Sequence, residues 1–554
     1  MIRITVSTPE IKGLEKEFET NVTAQEVLAS LDVHPVHEIL SCRLDNIPCR
    51  LDSRISKDCR LDFFNLKEPY SNYSFQASLT LLYIRAVHDV FGKQTRVSIA
   101  NSLSRGLFTT IHVPEITEQD CENISDRMRQ LVEKDAPIHE RKVSRKEALA
   151  WLKSENISDV ARLFESAPDL EEAQLCSLGD EQMLFYQHLL PSCRYLKLFE
   201  IRKYRKGVLL RFPHYENPDV IPEYREQKIL YDAFREETQW DHLMNVNHVS
   251  DLNRLVAKGQ ADDLILLSEA LHEKKIAQIA EQIHHSGRRI ILIAGPSSSG
   301  KTSFAKRLCI QLRVIGLNPL YLGTDDYFIN RDDMEVDENG NRDYESLSAV
   351  DTVLFARQMN ELLAGKKVDL PEFDFIEGVK RFGHRITSVR KEQPILIEGI
   401  HALNPKLSEG IDDADKFRIY ISPLTQLNID IQHRIPTTDA RLFRRLVRDH
   451  RTRGRSAATT IHDWQAVRRG EDKFIFPFNE QADAFFNSQC LYELAVLKKH
   501  ARPLLEQITP DLPEYPEAQR YLQLLKFFVS LEDESAIPCN SLIREFIGGS
   551  VLVK

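Results

Sequence analysis

Residues 289–304, R-R-I-I-L-I-A-G-P-S-S-S-G-K-T-S-F, constrain the fold more than any other stretch of the chain. An apolar β-branched run over 290–293 leads into Gly295-Pro296-Ser297-Ser298-Ser299-Gly300-Lys301-Thr302-Ser303, which runs directly into a helical pattern. The spacing is G-x-x-x-x-G-K-[ST] in the strand-loop-helix setting this loop requires. Its glycines let backbone N–H groups close around phosphate oxygens, its lysine reaches the outer phosphates, and its threonine hydroxyl can take Mg²⁺. The N-terminus of the following helix adds partial positive charge. A Gly/Ser turn between core elements would account for the glycines, but not for Lys301 and Thr302 at their fixed offsets.

The loop serves only part of the chain. At 554 residues the sequence exceeds what one hydrophobic core holds, and three or four domains are expected. Hydrophobic residues at 42% and charged residues at 28% are those of a globular protein. A formal charge of −10 argues against general adhesion to nucleic acid or anionic membrane. The nine cysteines form no C-x-x-C pair, so neither a disulfide framework nor a zinc knuckle is indicated. No apolar run approaches a membrane span, and residues 1–6 open as a strand and not as a signal peptide, so a cytoplasmic location without membrane contact is expected.

Residues 1–66 read as a small β-rich unit: Ile2, Ile4 and Val6 alternate, 15–18 can return as a second strand, Thr23 can cap a helix through Leu31, and strands follow at 39–44 and 61–64. This order resembles the ubiquitin-like, β-grasp TGS domain of threonyl-tRNA synthetases. Residues 67–240 turn to mixed α+β, with an amphipathic helix over 74–91, another over 117–134, a third capped by Ser144, and a hairpin of 195–205 with 208–212 around Lys206-Gly207. The order resembles the second additional domain that edits mischarged tRNA in threonyl- and alanyl-tRNA synthetases. That resemblance implies an H-x-x-x-H pair and a later Cys and His forming a metal cluster; here Ala77, Leu81, Phe185 and Leu189 take those positions, implying the fold without editing. His88, His188 and His214 read as ordinary histidines, and modules of this kind imply contact with RNA, tRNA or protein. Residues 241–285 read as a helical connector.

After the phosphate loop, a helix over 304–315 stops at Gly316, and a strand over 318–323 ends in Thr324-Asp325-Asp326-Tyr327-Phe328. Ligands of open α/β sheets sit beyond the carboxyl ends of the strands, so these acids should face the phosphates. Phosphoryl transfer to a hydroxyl wants a carboxylate there to orient the nucleophile and accept its proton; an acidic loop that merely caps a helix is the alternative. A third buried run, 394–397, closes on Glu398, a strand-end acid suited to Mg²⁺. Arg441, Arg445 and Arg448 lie at i, i+4 and i+7, and Gly454 permits a turn carrying Arg453 and Arg455. Such a face suits a lid over transferring phosphates, with a solvated or RNA-binding basic face as the competing reading. Residues 491–554 read as helical, over 491–507 and 516–531, and pack against the core.

The phosphate loop, T-D-D-Y-F, D-Y-E-S-L-S-A-V-D (343–351), L-P-E-F-D-F (370–375), I-L-I-E-G-I and R-R-L-V-R-D…R-G-R resemble, in order, the uridine/cytidine kinase branch of the phosphoribulokinase and uridine kinase family, over 286–490. The resemblance implies a P-loop NTPase domain with a parallel sheet flanked by helices, and ATP- and Mg²⁺-dependent phosphorylation of a nucleoside 5′-hydroxyl. It makes Asp325 the base, with Lys301, Arg445 and Arg448 assisting transfer, the loop with Arg453 and Arg455 on ATP, and Thr302 and Glu398 on Mg²⁺. Glu345 stands where the family has a ribose-gripping aspartate, Phe373 where it has a tyrosine beside the base, and Asp326 and Tyr327 belong to the substrate side. The family's base-contacting histidine falls on Gly378 and a lid glutamine near Asp463, leaving Arg381, His384 or Trp464 as substitutes. A kinase for a sugar phosphate or pantothenate, and an RNA-associated nucleotide switch, stay open as alternatives, as does the oligomeric state. The whole order of parts resembles multidomain bacterial proteins of nucleoside kinase type.

Overall fold

The computed structural model describes residues 1–334, 342, 345–425 and 427–553; Asp343 and Tyr344 of the expected 343–351 motif lie outside the described residues. At the front, the strand Ile2–Ser7 turns its alternate apolar residues inward and forms a five-stranded mixed sheet in the order Leu14–Phe18, Ile2–Ser7, Cys59–Asn65, Ile39–Leu44, Ile47–Cys49. Ile2–Ser7 pairs in parallel with Cys59–Asn65. The helix expected from Thr23 forms over Ala24–Ala29, with Thr23 and Glu26 in a reciprocal capping box.

The helix expected over 74–91 begins earlier, at Pro69, because Glu68 caps it and proline is tolerated in the first turn. It is not amphipathic. Leu79, Leu81, Leu82, Tyr83 and Ile84 are all buried, because one apolar cluster reaches the helix from the front sheet, through Ile4 and Leu61, and from the middle of the chain, through Val97 and Leu210. The helices Glu118–Glu133 and Arg145–Ser154 follow, capped by Thr117 and Ser144. A four-stranded sheet contains the hairpin Glu200–Tyr204 and Gly207–Arg211. A three-stranded sheet, Ile138–Ser144, Glu172–Leu178 and Glu181–Phe185, has no counterpart among the expected elements, since its first strand, I-H-E-R-K-V-S, is mostly polar. Ala77, Leu81, Phe185 and Leu189 are all buried in the core and bring no donor atom to a metal. His88 bonds Glu181 and the Thr95 carbonyl, and His188 bonds Glu140.

Helices Lys228–Met244, Val249–Ala257 and Ala261–Ser286 lead to the phosphate-loop strand. That strand, Ile290–Ala294, is wholly buried at the centre of a parallel sheet in the order Leu320–Gly323, Ile395–Glu398, Ile290–Ala294, Lys416–Ser422, Ala484–Asn487. A continuous apolar run is what a parallel strand covered on both faces requires. Ile279, Phe304 and Leu308 cover one face, and Tyr327, Phe355 and Met359 the other. Strands Val368–Asp374 and Val379–Thr387 form a separate antiparallel hairpin. The tail helices Glu493–Leu505 and Tyr515–Leu525 pack with the arginine-rich helix Thr437–Arg453 in a cluster that also contains Val143, Leu163 and Leu252. No helix among the described residues is long and apolar enough to cross a membrane.

Candidate active site

The strand Ile290–Ala294 delivers residues 295–300 to the N-terminus of the helix Lys301–Val314. Lys301 folds back over the loop, its Nζ donating to the carbonyls of Gly295 at 3.0 Å and Pro296 at 3.1 Å. The Ser298 and Ser299 hydroxyls are buried and have no hydrogen-bond partner among the described residues, so the loop holds donors that a ligand's oxygens could use.

Two parallel strands bring acids to the same end of the sheet. Glu398 closes Ile395–Glu398, and its Oε2 accepts from Thr302 Oγ1 at 3.3 Å and from the Tyr321 hydroxyl at 3.0 Å. A Cβ on the next residue, Gly399, would lie 1.7 Å from Thr324 Oγ1. Only glycine lets the two strand ends approach so closely, and Asp325 follows Thr324 directly. Asp325 opens to solvent in the cleft, yet crowding desolvates its carboxyl enough to raise its pKa against the opposing pull of Lys301; Asp326 and Glu345 raise it further. Burial likewise raises Glu398, and it lowers the Lys301 ammonium although Glu398 and Asp325 both favour its charge. Both acids thus act on the one ammonium, whose charge each of them favours.

The other expected site residues divide. Glu345 lies close enough to be felt by Asp325 and by Arg445, its Cβ 3.1 Å from where a Cβ on Gly470 would stand. Asp326 pairs with Arg385 at 2.6 Å. Tyr327 turns away from the cleft: its hydroxyl donates to Gln358 at 2.9 Å and its ring packs on Phe355 at 5.1 Å, so it supports the acidic loop from the core. Phe373 is buried in a ring cluster, 5.7 Å from Phe328 and 5.2 Å from Phe375. No side chain fits at Gly378, because a Cβ there would lie 2.7 Å from Arg331 Cβ, and the Arg331 guanidinium closes the turn by donating to Phe375 O at 2.7 Å. Of the substitutes, Arg381 is taken by Asp374 at 3.3 Å, His384 is exposed, and Trp464 is buried beneath Arg441 and Arg445.

The arginine helix departs from the expected guanidinium face. Arg441 is fully buried in an ion pair with Glu471, and Arg444 in one with Glu493. The physical reason is that a guanidinium taken out of water must be matched by a carboxylate, and these partners come from helices 30 and 49 residues further on. The helix is bolted to the phosphate loop: Arg445 Nη1 donates to Ser297 Oγ at 2.9 Å, Arg444 Nη1 to Ser298 O at 3.3 Å, and Glu471 accepts the Ser297 N–H at 3.0 Å. Arg448 and Arg453 both pair with Asp449, and Arg455 pairs with Asp463. Glu471, Glu493 and, from the tail, Glu545 touch the site machinery without any sequence signal, since none of them belongs to a motif that marks it off from the other acids of the chain.

Residues 290–494 match the phosphoribulokinase / uridine kinase family. The uridine kinase of Ligilactobacillus salivarius is 30% identical over 196 residues, which cover 35% of this chain and 82% of that protein. The uridine kinase of Macrococcus caseolyticus is 28% identical over 195 residues, covering 35% of this chain and 85% of that protein. That of Staphylococcus aureus is 29% identical over 195 residues, covering 35% and 84%.

Proposed function

Because the chain belongs, through residues 290–494, to the phosphoribulokinase / uridine kinase family, we propose that it is an ATP-dependent kinase acting on the 5′-hydroxyl of a nucleoside. The observation that carries this reading is the meeting of Lys301, Thr302, Asp325 and Glu398 at the carboxyl ends of adjacent parallel strands. In it, Asp325 orients the acceptor hydroxyl and takes its proton as the oxygen attacks the γ-phosphorus and the bond to the β-phosphate oxygen breaks, releasing ADP. Lys301, freed from the Gly295 and Pro296 carbonyls, moves its charge onto the phosphates. Thr302 and Glu398 would hold Mg²⁺, which neutralises phosphate charge when bound. Arg445 and Arg448 stand on the helix bolted to the loop, and Arg453 and Arg455, both exposed at its end, can exchange their acidic partners for the nucleotide.

Phe375, exposed at the edge of the ring cluster it forms with the buried Phe328 and Phe373, supports an acceptor with a flat face. A second reading, a kinase for a sugar phosphate or pantothenate, is favoured by Arg331, which fills the space beside Gly378 with a cation. The family match begins at residue 290, so RNA or tRNA contact through the front of the chain lies outside it. Labelled ATP offered with uridine, cytidine, sugar phosphates and pantothenate tests both readings. Label is expected on a nucleoside 5′-monophosphate; label confined to a sugar phosphate or pantothenate would move the assignment to the second reading.

A further inference from the structure

The last turn of the tail ends on the phosphate loop. The short helix Arg544–Ile547 is pinned to the arginine helix, where Arg451 donates to the carbonyls of Glu545 at 2.9 Å and Phe546 at 3.1 Å, and the Arg444 guanidinium lies 5.0 Å from the Phe546 ring. Lys306, on the phosphate-loop helix, donates to Leu552 O at 2.6 Å. Leu542 reaches to 3.0 Å from where a Cβ on Gly300 would stand. So anchored, Glu545 sends its carboxylate to Ser303: Oε2 accepts the backbone N–H at 3.2 Å and the hydroxyl at 2.6 Å.

Ser303 is the third residue of the helix Lys301–Val314, so its N–H is one of the donors that helix geometry leaves without an intrahelical acceptor. Those donors are what a phosphate at a helix N-terminus takes. A carboxylate oxygen carries the same sign and the same acceptor capacity, so carboxylate and phosphate compete for one seat. A permanent structural cap would be expected to have its charge neutralised, as Glu471 is by Arg441 beside Ser297. Glu545 differs. It is 8% exposed, yet among the described residues no ammonium or guanidinium lies within ion-pair distance of it, and it adds to the negative charge of Glu398 and Asp325 around Lys301.

We infer that Glu545 is an intramolecular stand-in for a nucleotide phosphate: the tail seats its carboxylate on the Ser303 donors, and an arriving nucleotide must displace it, releasing residues 541–553. This autoinhibitory contact rests on the reading of residues 295–303 as a nucleotide site. It makes residues 541–553 a sensor of occupancy as well as a brake on binding.

The test uses the full chain and ATP as the probe, with binding measured by calorimetry for the wild type, Glu545→Gln and Glu545→Ala. The Ala variant is expected to bind ATP at least about fivefold more tightly than the wild type, with Gln between them. Equal or weaker binding by Glu545→Ala would overturn the inference and leave the nucleotide reading standing. Absence of ATP binding in all three proteins would remove the reading and the inference together. Should the variants fold poorly, amide hydrogen exchange of the wild type decides between the same outcomes: residues 541–553 are expected to exchange faster when ATP saturates the protein, and unchanged or slower exchange would sink the idea.

Discussion

Asp325 and Glu398 carry the sharpest consequences at the level of single residues. Both carboxyls are raised by desolvation above the ordinary range near pH 4. A raised folded value favours the native state fully below the unfolded value, and that benefit is lost as pH rises through the folded value. The protein without ligand is therefore expected to lose stability as pH climbs from about 4 through those raised values. Asp325→Asn should hold or raise Tm at neutral pH, by about 2 °C, while cutting phosphate transfer about 10² to 10⁴-fold. A scanning calorimetry trace with Tm several degrees lower would make Asp325 a structural residue instead. Lys301→Ala should lose transfer while staying folded, as judged by circular dichroism, because the Lys301 ammonium donates its hydrogen bonds to two carbonyls of its own loop. At this scale the sequence was informative where chemistry is local. The spacing of Gly295, Lys301 and Thr302 marks the loop, whereas the partners of Arg441 and Arg444 lie too far along the chain for any motif to join them.

Among the elements, the arginine helix carries more structural weight than catalytic reach. Its Arg441–Glu471 and Arg444–Glu493 pairs are buried with bonds on both sides, so removing one partner strands a charge. Glu493→Ala is expected to cost about 3 to 5 kcal/mol in urea unfolding, and Arg444→Met on the same background to recover part of that loss. A cost below about 1 kcal/mol would show that water reaches the pair. The strand Ile290–Ala294 was readable as a buried parallel strand because every residue in it is apolar. The strand Val379–Thr387, V-K-R-F-G-H-R-I-T, was not, because an exposed two-sided ribbon needs no apolar alternation. The helix Pro69–Phe91 misled for the opposite reason: it reads as amphipathic over 74–91, but Ser74 and Ser78 are buried along with its apolar residues, and the Ser78 hydroxyl donates to the Ser74 carbonyl within the helix.

Across the whole molecule, the parts are joined by a common core. One apolar cluster runs from Leu163 through Leu252 and Phe443 to Phe527, and Tyr73 donates to Asp439, which Arg520 also binds while stacking 4.1 Å from the Tyr73 ring. A fragment of residues 286–554 alone would expose that cluster, and it is expected to aggregate or to unfold without a cooperative transition; a monomeric, cooperatively melting fragment would show the front to be dispensable. This union was illegible in the sequence, since shared cores between distant segments leave no local period. The claim on which the account depends is that a nucleotide's outer phosphate passes from the loop beginning at Gly295 to an alcohol aimed by Asp325. The most direct measurement is transfer of label from γ-labelled ATP to uridine by the wild type and by Asp325→Asn, with ATP binding measured for both. Labelled uridine 5′-monophosphate is expected from the wild type, and retained ATP binding with transfer reduced at least about 100-fold from the variant. Wild-type turnover by Asp325→Asn, or no transfer by the wild type to any hydroxyl acceptor, would contradict it.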